Sequence, residues 1–180
     1  MTQHEYVMVA ISIILGLAIT RMLHTVGSLI RAHRRVEFHW ATAAWSLCVM
    51  AYSLQFWWVG WELRDLEYWS FASFGVLTIG AICVYGAAEM ALPVPEEGQA
   101  LDFLGHSQGL GRLSALSMLL YLCIGPYVNI ALFGNEVVVS LLLPLLGVII
   151  TGLMMAIPKY FQALSVAFTL YTTLILYLTA

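Results

Sequence analysis

Long apolar runs alternate with short polar connections along this chain, and the pattern predicts six membrane-spanning helices. An α-helix rises 1.5 Å per residue, so about 20 apolar residues cross a hydrocarbon core roughly 30 Å thick. The runs cover residues 6–30, 38–61, 68–92, 113–133, 137–157 and 160–178. We therefore predict an all-α integral membrane bundle, built as one domain over residues 1–180.

Prolines lie both at the end of an apolar run and inside two of the runs. Pro93 and Pro95 end the third run, whereas Gly125-Pro126 and Pro144 lie inside the fourth and fifth runs. A proline inside a spanning helix is tolerated where neighbouring groups satisfy the freed carbonyl. We interpret the internal prolines as kinks, and the acidic connection with Glu96, Glu97 and Asp102 as a solvated loop.

Composition supports a bilayer as the solvent of this chain. Charged residues make up 9% of the sequence, against about 25% in soluble domains, and hydrophobic residues make up 62%. The net charge of -3 is spread over short connections, and no basic tail indicates nucleic acid. The start MTQHEYVM lacks a basic region and a cleavage site, so we expect the first helix to be retained as a signal-anchor.

The basic residues predict the orientation, because short cytoplasmic connections are rich in Lys and Arg. Connections one, three and five contain Arg31, Arg34, Arg35, Arg112 and Lys159. The opposite side collects Glu5, Glu62, Asp65, Glu67 and Glu136, with Arg64 as its only basic residue. This asymmetry predicts a multi-pass protein of the inner (cytoplasmic) membrane with both termini on the non-cytoplasmic side.

Polar residues inside the first and third runs are the main candidates for function. A charge in the bilayer core costs roughly 3 kcal/mol on insertion scales, so it needs a partner. Helical periodicity places Arg21, His24 and Ser28 on one arc, and Tyr85 and Glu89 on one stripe of the third helix. Arg21 and Glu89 differ in depth by about 9 Å, so we predict an ion pair between them with His24 between or beside them.

This cluster has a functional and a structural interpretation. As a substrate- or ion-binding site, Arg21 supplies positive charge, Glu89 balances it, and His24 changes protonation near neutral pH. As an anchor, Arg21 reaches the headgroups and His24 bonds a carbonyl. Gln55 and Asn129 are candidates for lining an outward-facing cavity, and interhelical hydrogen bonds are the structural alternative.

Catalytic, metal and cofactor sites are not predicted. The chain lacks the nucleophile, zinc-protease and phosphate-binding motifs, so an enzyme is the less favoured interpretation. Cys48, Cys83 and Cys123 lie at similar depths, but no Met or His stands beside them at ligand spacing. A haem held by His24 and His39 requires similar depths, and theirs differ by about 6 Å.

Four short segments carry a resemblance to a known group. Residues 12–20, Gln55-Phe-Trp-Trp58, Leu92-Pro93 and Leu101-Asp-Phe103 resemble small bacterial polytopic membrane proteins that have no assigned activity. The resemblance implies a bacterial inner membrane and no particular chemistry. The size and helix count are also similar to the substrate-binding subunits of energy-coupling-factor vitamin transporters, whose AxxxA pattern is absent from the first helix.

Two functional hypotheses follow from these features. The leading one is a small transporter, channel or ligand-binding membrane protein that uses the cluster of Arg21, His24 and Glu89. The alternative is a non-catalytic accessory or scaffold subunit of a larger membrane complex. Since a bundle of six helices has little room to enclose a substrate pathway within one chain, we also expect a homo-oligomer.

Overall fold

The computed structural model of the protein describes residues 2–66, 68–95 and 100–179, and nearly all of them are helical. The helices are α1 Gln3–Arg31, α2 Trp40–Glu62, α3 Phe71–Met90, α4 Phe103–Gln108, α5 Arg112–Leu122, α6 Gly125–Tyr127, α7 Val137–Ala156 and α8 Phe161–Leu178. The prediction of a helical architecture is confirmed. Glu67, Glu96 and Glu97 lie outside the described residues.

Side-chain caps determine where the first three long helices begin. At α1, the Thr2 hydroxyl accepts from the Glu5 amide and the Glu5 carboxylate accepts from the Thr2 amide, which forms a capping box. The side chains of His39 and Ser70 accept in the same way from amides in the first turns of α2 and α3. These contacts satisfy backbone donors that have no partner inside the helix.

Five helical segments in the described part of the chain are long and apolar enough to cross a membrane. They are Gln3–Arg31, Phe71–Met90, Arg112–Leu132, Val137–Ala156 and Pro158–Leu178. α2 has 23 residues and is not among them, so the expectation of six such segments is confirmed for five. α2 is long enough, but its tryptophans, hydroxyl residues and Gln55 lower its mean hydropathy.

The six long segments pack side by side in a closed ring. Around the ring, α1 contacts α3, α3 contacts α5, α5 contacts α7, α7 contacts α8, α8 contacts α2, and α2 contacts α1; α2 also contacts α3 directly. Large side chains fill the middle, including Trp45, Tyr52, Met118 and Phe168, each at most 2% exposed. α2 therefore has packed neighbours on both sides even though it is not among the five segments that are apolar enough to cross a membrane.

Hydrogen bonds at the two ends of the ring give the directions of the helices. His4 Nε2 lies 2.8 Å from the Gly60 carbonyl oxygen, which places the start of α1 beside the end of α2. Arg112 Nη2 donates to the Met155 carbonyl oxygen at 2.6 Å, which places the start of α5 beside the end of α7. We call the end with Arg112 the basic end, and the end with His4 and the C-terminal turn of α8 the terminal end.

A small ordered unit covers the basic end. β1 (Val36–Glu37) pairs in parallel with β2 (Leu101–Asp102), and α4 follows β2 directly. Leu29, Leu92 and Phe103 join Leu101 in a separate buried cluster. Asp102 is exposed, as predicted, but it lies in a strand and not in a loop, because the apolar residues on both sides of it are buried against the end of α1.

Hydrogen bonds fasten this unit to the bundle. Thr42 Oγ1 donates to the Phe103 carbonyl oxygen at 2.9 Å and lies 2.7 Å from Ser107 Oγ. His106 Nε2 lies 3.1 Å from the Met90 carbonyl oxygen at the end of α3. The connection between α3 and α5 is thus bonded to both α2 and α3.

The fourth predicted span is bent, as the position of Gly125-Pro126 indicates. α5 ends at Leu122, α6 follows, and the segment Val128–Leu132 has π-helical hydrogen bonding. The residues at these junctions keep right-handed helical dihedrals, so the proline interrupts the hydrogen bonds without ending the helix. A Cβ on Gly125 would lie 3.1 Å from Pro144 Cγ, so the irregular part of this span packs against the proline of α7.

Candidate functional site

The first candidate site is an ion pair between α1 and α3. Arg21 Nη2 lies 2.7 Å from Glu89 Oε1, and each side chain is 34% exposed. The Tyr85 hydroxyl donates to Glu89 Oε2 at 3.4 Å. The Arg21 side chain thus spans the difference in depth between Arg21 and Glu89 that the sequence indicates. Both oxygens of the Glu89 carboxylate have a partner.

The other residues predicted for this cluster do not contact the pair. His24 is exposed, and it forms no hydrogen bond or ion pair within the described chain. The Ser28 hydroxyl accepts from Arg31 Nη2 at 3.1 Å. The structure therefore brings Arg21, Tyr85 and Glu89 together and leaves His24 and Ser28 out of their contacts.

The two charges of the pair neutralise each other, and one donor of the guanidinium stays unpaired among the described residues. A carboxylate held by a guanidinium and a hydroxyl has little capacity left to bind another cation, and the guanidinium is neutralised in turn. Arg21 Nε is buried without a hydrogen-bond partner in the described structure. These contacts are typical of a structural bridge between two helices.

The second candidate site is a cavity of about 490 Å³ in the half of the ring near the terminal end. Gln55 and Asn129, the two residues predicted to line an outward-facing cavity, both line it. Its walls come from α2, from the end of α5 and the bent segment that follows it, and from α7 and α8. The rim includes the exposed residues Asn135 and Glu136.

Aromatic rings form one wall of the cavity. The rings of Tyr52 and Phe56 lie 5.8 Å and 5.4 Å from that of Tyr121, measured between centroids. The Tyr121 hydroxyl donates to Gln55 Oε1 at 3.3 Å. Tyr171 of α8 also lines the cavity, so four rings surround a space whose other walls are mainly aliphatic.

Several polar groups of the wall have no partner. The Tyr52 hydroxyl is buried and forms no hydrogen bond with the described residues; the Tyr171 and Thr172 hydroxyls lie near it but outside bonding geometry. No hydrogen bond within the described chain involves the Gln55 amide nitrogen or the Asn129 side chain. Buried polar groups are normally satisfied, so the Tyr52 hydroxyl indicates a polar occupant such as water or a ligand, and the half-buried amides of Gln55 and Asn129 are available to the same occupant.

Close packing keeps Tyr171 in place behind the cavity. A Cβ on Gly147 would lie 2.7 Å from the ring and the hydroxyl of Tyr171. Only a glycine lets the phenol ring lie this close to the α7 backbone. Since α7 and α8 contact each other here, the position of the phenol depends on both helices.

Glu136 gives the cavity its charge. It is the only Asp, Glu, Lys, Arg or His among the lining residues that the structure describes. It precedes α7 as the N-cap residue, but its side chain does not cap the helix. Its carboxylate is exposed and has no hydrogen bond or ion pair with a described residue.

The tyrosines of the cavity are absent from the predicted site, although their spacing contains a signal. Tyr52, Gln55 and Phe56 stand at i, i+3 and i+4, and Tyr121 precedes Asn129 by eight residues. This periodicity puts each set on one helical face. In an apolar run, a tyrosine resembles core filler, and only the packing of α7 and α8 identifies the faces that meet.

Metal binding has no geometric support in the described ranges, where no three His, Cys, Asp or Glu side chains form a group suited to an ion. Comparisons with protein-family models, curated proteins and solved structures give no match for this chain. The resemblance to small bacterial polytopic proteins stays a prediction.

Proposed function

We propose that this protein is a ligand-binding membrane protein that takes a small, mainly apolar molecule into the cavity near the terminal end. The single observation that carries the proposal is the cavity itself, with about 490 Å³ of space and a buried wall hydroxyl, that of Tyr52, that lacks a partner in the described chain. Ligand sites are typically clefts of about 300–1,000 Å³ with apolar walls and a few polar groups. Gln55 and Asn129 are then ligand-binding residues.

The proposal includes six crossings of a bacterial cytoplasmic membrane. α2 has 23 residues, enough for a crossing, and it is packed between α8 and α1. Its tryptophans Trp57, Trp58 and Trp61 stand near the terminal end and suit a headgroup belt. The basic residues at the opposite end favour a cytoplasmic location for that end, so the cavity opens toward the non-cytoplasmic side.

In this proposal, the Arg21–Glu89 pair is an anchor and not the ligand site. Its charges satisfy each other across 2.7 Å, and it lies toward the basic end, whereas the cavity residues lie toward the terminal end. Substrate flux therefore is not expected to depend on an exchangeable charge at Arg21. The cavity supports a binding role directly, and transport requires a further opening toward the basic end.

A pair of neighbouring substitutions tests the site. Leu143 lines the cavity, whereas Leu142 is 60% exposed on the outer surface of the same helix. We expect Leu143→Trp to fill part of the cavity and to weaken saturable binding of the neutral fluorophore Prodan by at least tenfold. Leu142→Trp is expected to bind like the wild type, with about one site per chain.

The measurement is the blue shift of Prodan emission on titration into purified protein, with empty micelles subtracted. Folding of each variant is checked by circular dichroism and by its elution volume. Equal saturable binding by the wild type and both variants, or no saturable binding by the wild type, would refute the cavity as the site.

A further inference from the structure

We infer that the cavity selects organic monocations with an aromatic or aliphatic body, and that the Glu136 carboxylate at its rim is the charge-selecting residue. This inference rests on the proposed function and adds the chemical class of the ligand.

The charge of the lining gives the sign of the selectivity. Glu136 is the only charged residue among the described lining residues, and its carboxylate has no partner in the described chain. An anion entering the cavity meets this negative charge without any cation to compensate for it. A cation gains an ion pair at a position where solvent still reaches the carboxylate.

The aromatic wall of the cavity also favours a cation over an anion. A ring carries negative potential on its faces, and cations within about 6 Å of a ring centroid are attracted to it. Tyr52, Phe56, Tyr121 and Tyr171 all line the cavity. A delocalised cation loses little hydration on entry, and the rings replace part of what it loses.

The unpaired polar groups suit a weakly hydrated cation better than a neutral hydrocarbon. Among the lining residues, the Asn129 amide oxygen has no donor in the described chain, and Gln55 Oε1, which accepts from Tyr121, keeps a second lone pair. Oxygen atoms with free lone pairs stabilise a spread positive charge by ion–dipole attraction. No Lys or Arg among the described lining residues opposes it.

Other features of the molecule do not support the assignment of a ligand or a partner. Ser12, Gly16 and Thr20 form a small-residue stripe on α1, but no second observation identifies what would cover it. The three cysteines are free and are not grouped with other ligands. The cavity combines space, sign of charge and unpaired polar atoms in one place.

A shape-matched series of probes separates charge from fit. The cation is 1-methyl-4-phenylpyridinium, the neutral analogue is 4-methylbiphenyl, and the anion is biphenyl-4-carboxylate. All three share two linked six-membered rings. Binding is measured by equilibrium dialysis against detergent-solubilised full-length protein, with empty micelles as the reference for partitioning.

We expect the wild type to bind the cation at least tenfold more tightly than the neutral analogue, and the anion more weakly than both. Glu136→Gln should weaken binding of the cation by about tenfold, because unit charges about 6 Å apart attract by that factor at an effective dielectric constant of about 40, which suits an exposed carboxylate at the rim. Affinity for 4-methylbiphenyl should not change. Glu62→Gln, which removes an exposed carboxylate at the same end outside the cavity lining, is the matched control and should retain the cation affinity.

The outcomes distinguish this inference from the proposed function. If the neutral analogue binds as tightly as the cation, or if Glu136→Gln and Glu62→Gln have the same effect, the charge selectivity is wrong and the cavity remains a ligand site. If none of the three probes binds while Prodan binds in a Leu143-dependent way, the proposed ligand class is wrong and the cavity again remains a ligand site. If Prodan also fails to bind, both the inference and the proposed function are overturned.

Discussion

Breaking the Arg21–Glu89 pair from one side should destabilise the bundle more than removing both charges. The charged atoms are 2.7 Å apart and each side chain is 34% exposed. Charges centred about 4 Å apart at an effective dielectric constant of 20 attract by about 4 kcal/mol, and partial exposure reduces this to about 2 kcal/mol. Glu89→Gln leaves the guanidinium without its counter-ion, and Arg21→Met leaves the carboxylate with only the Tyr85 hydroxyl.

We therefore expect each single variant to lose about 2 kcal/mol in the free energy of unfolding. The double variant should lose no more than either single one, because no uncompensated charge remains. The coupling energy is then at least about 2 kcal/mol. The assay is unfolding by sodium dodecyl sulfate in dodecylmaltoside mixed micelles, followed by tryptophan fluorescence.

Arg64 and Asp65 provide an internal control for this cycle. Their charged atoms are 3.5 Å apart and their side chains are 43% and 80% exposed. Such exposed pairs contribute about 0–1 kcal/mol, so Arg64→Met with Asp65→Asn should show little coupling. If the effects at Arg21 and Glu89 add as independently as those of the control pair, the anchoring role is refuted.

Three further substitutions test the packing around the cavity and the core. Tyr52→Phe removes a buried hydroxyl without a partner, so stability should be unchanged or rise by about 1 kcal/mol; a clear loss in the same unfolding assay would show that Tyr171 or Thr172 bonds it. Gly147→Ala places a methyl group against the Tyr171 ring and should cost about 1–3 kcal/mol and weaken Prodan binding; unchanged affinity would place the ligand elsewhere. Ser114→Ala removes the acceptor for Trp45 Nε1 at 2.9 Å and should cost about 2 kcal/mol, with a loss below 0.5 kcal/mol contradicting the assigned hydrogen bond.

The positions of the helices follow from the sequence because a long apolar run has one dominant solution in lipid. The predicted runs differ from the helices α1, α3, α7 and α8 by a few residues at their ends. The predicted third run includes Tyr68 and Trp69, which precede the Ser70 cap of α3. Hydropathy detects apolar length, whereas the cap determines where the helix begins.

The unit at the basic end could not be predicted from local pattern. β1 and β2 contain two residues each and are separated in sequence by α2 and α3. Strands this short have no periodicity to detect. Their pairing depends on Leu29 and Phe103 meeting in space, which only the tertiary structure determines.

The candidate sites were predictable to different extents. Arg21 and Glu89 are identified as partners because a charge in an apolar run requires a counter-charge and the difference in depth between the two residues is within reach of an arginine side chain. Gln55 and Asn129 stand out for the same reason, since polar side chains are scarce there. Tyr171 does not stand out, and its role depends on Gly147 and on the contact between α7 and α8.

The length of α1 has a mechanical consequence for a bilayer-embedded protein. Its 29 residues form a rod of about 44 Å, which exceeds a hydrocarbon thickness of roughly 30 Å. The last turns of α1 pack against β1, β2 and α4 through Leu29, so the surplus length belongs to the ordered unit at the basic end. A thinner bilayer should expose more of this unit to water or tilt α1, because the helix has no break at which it could bend.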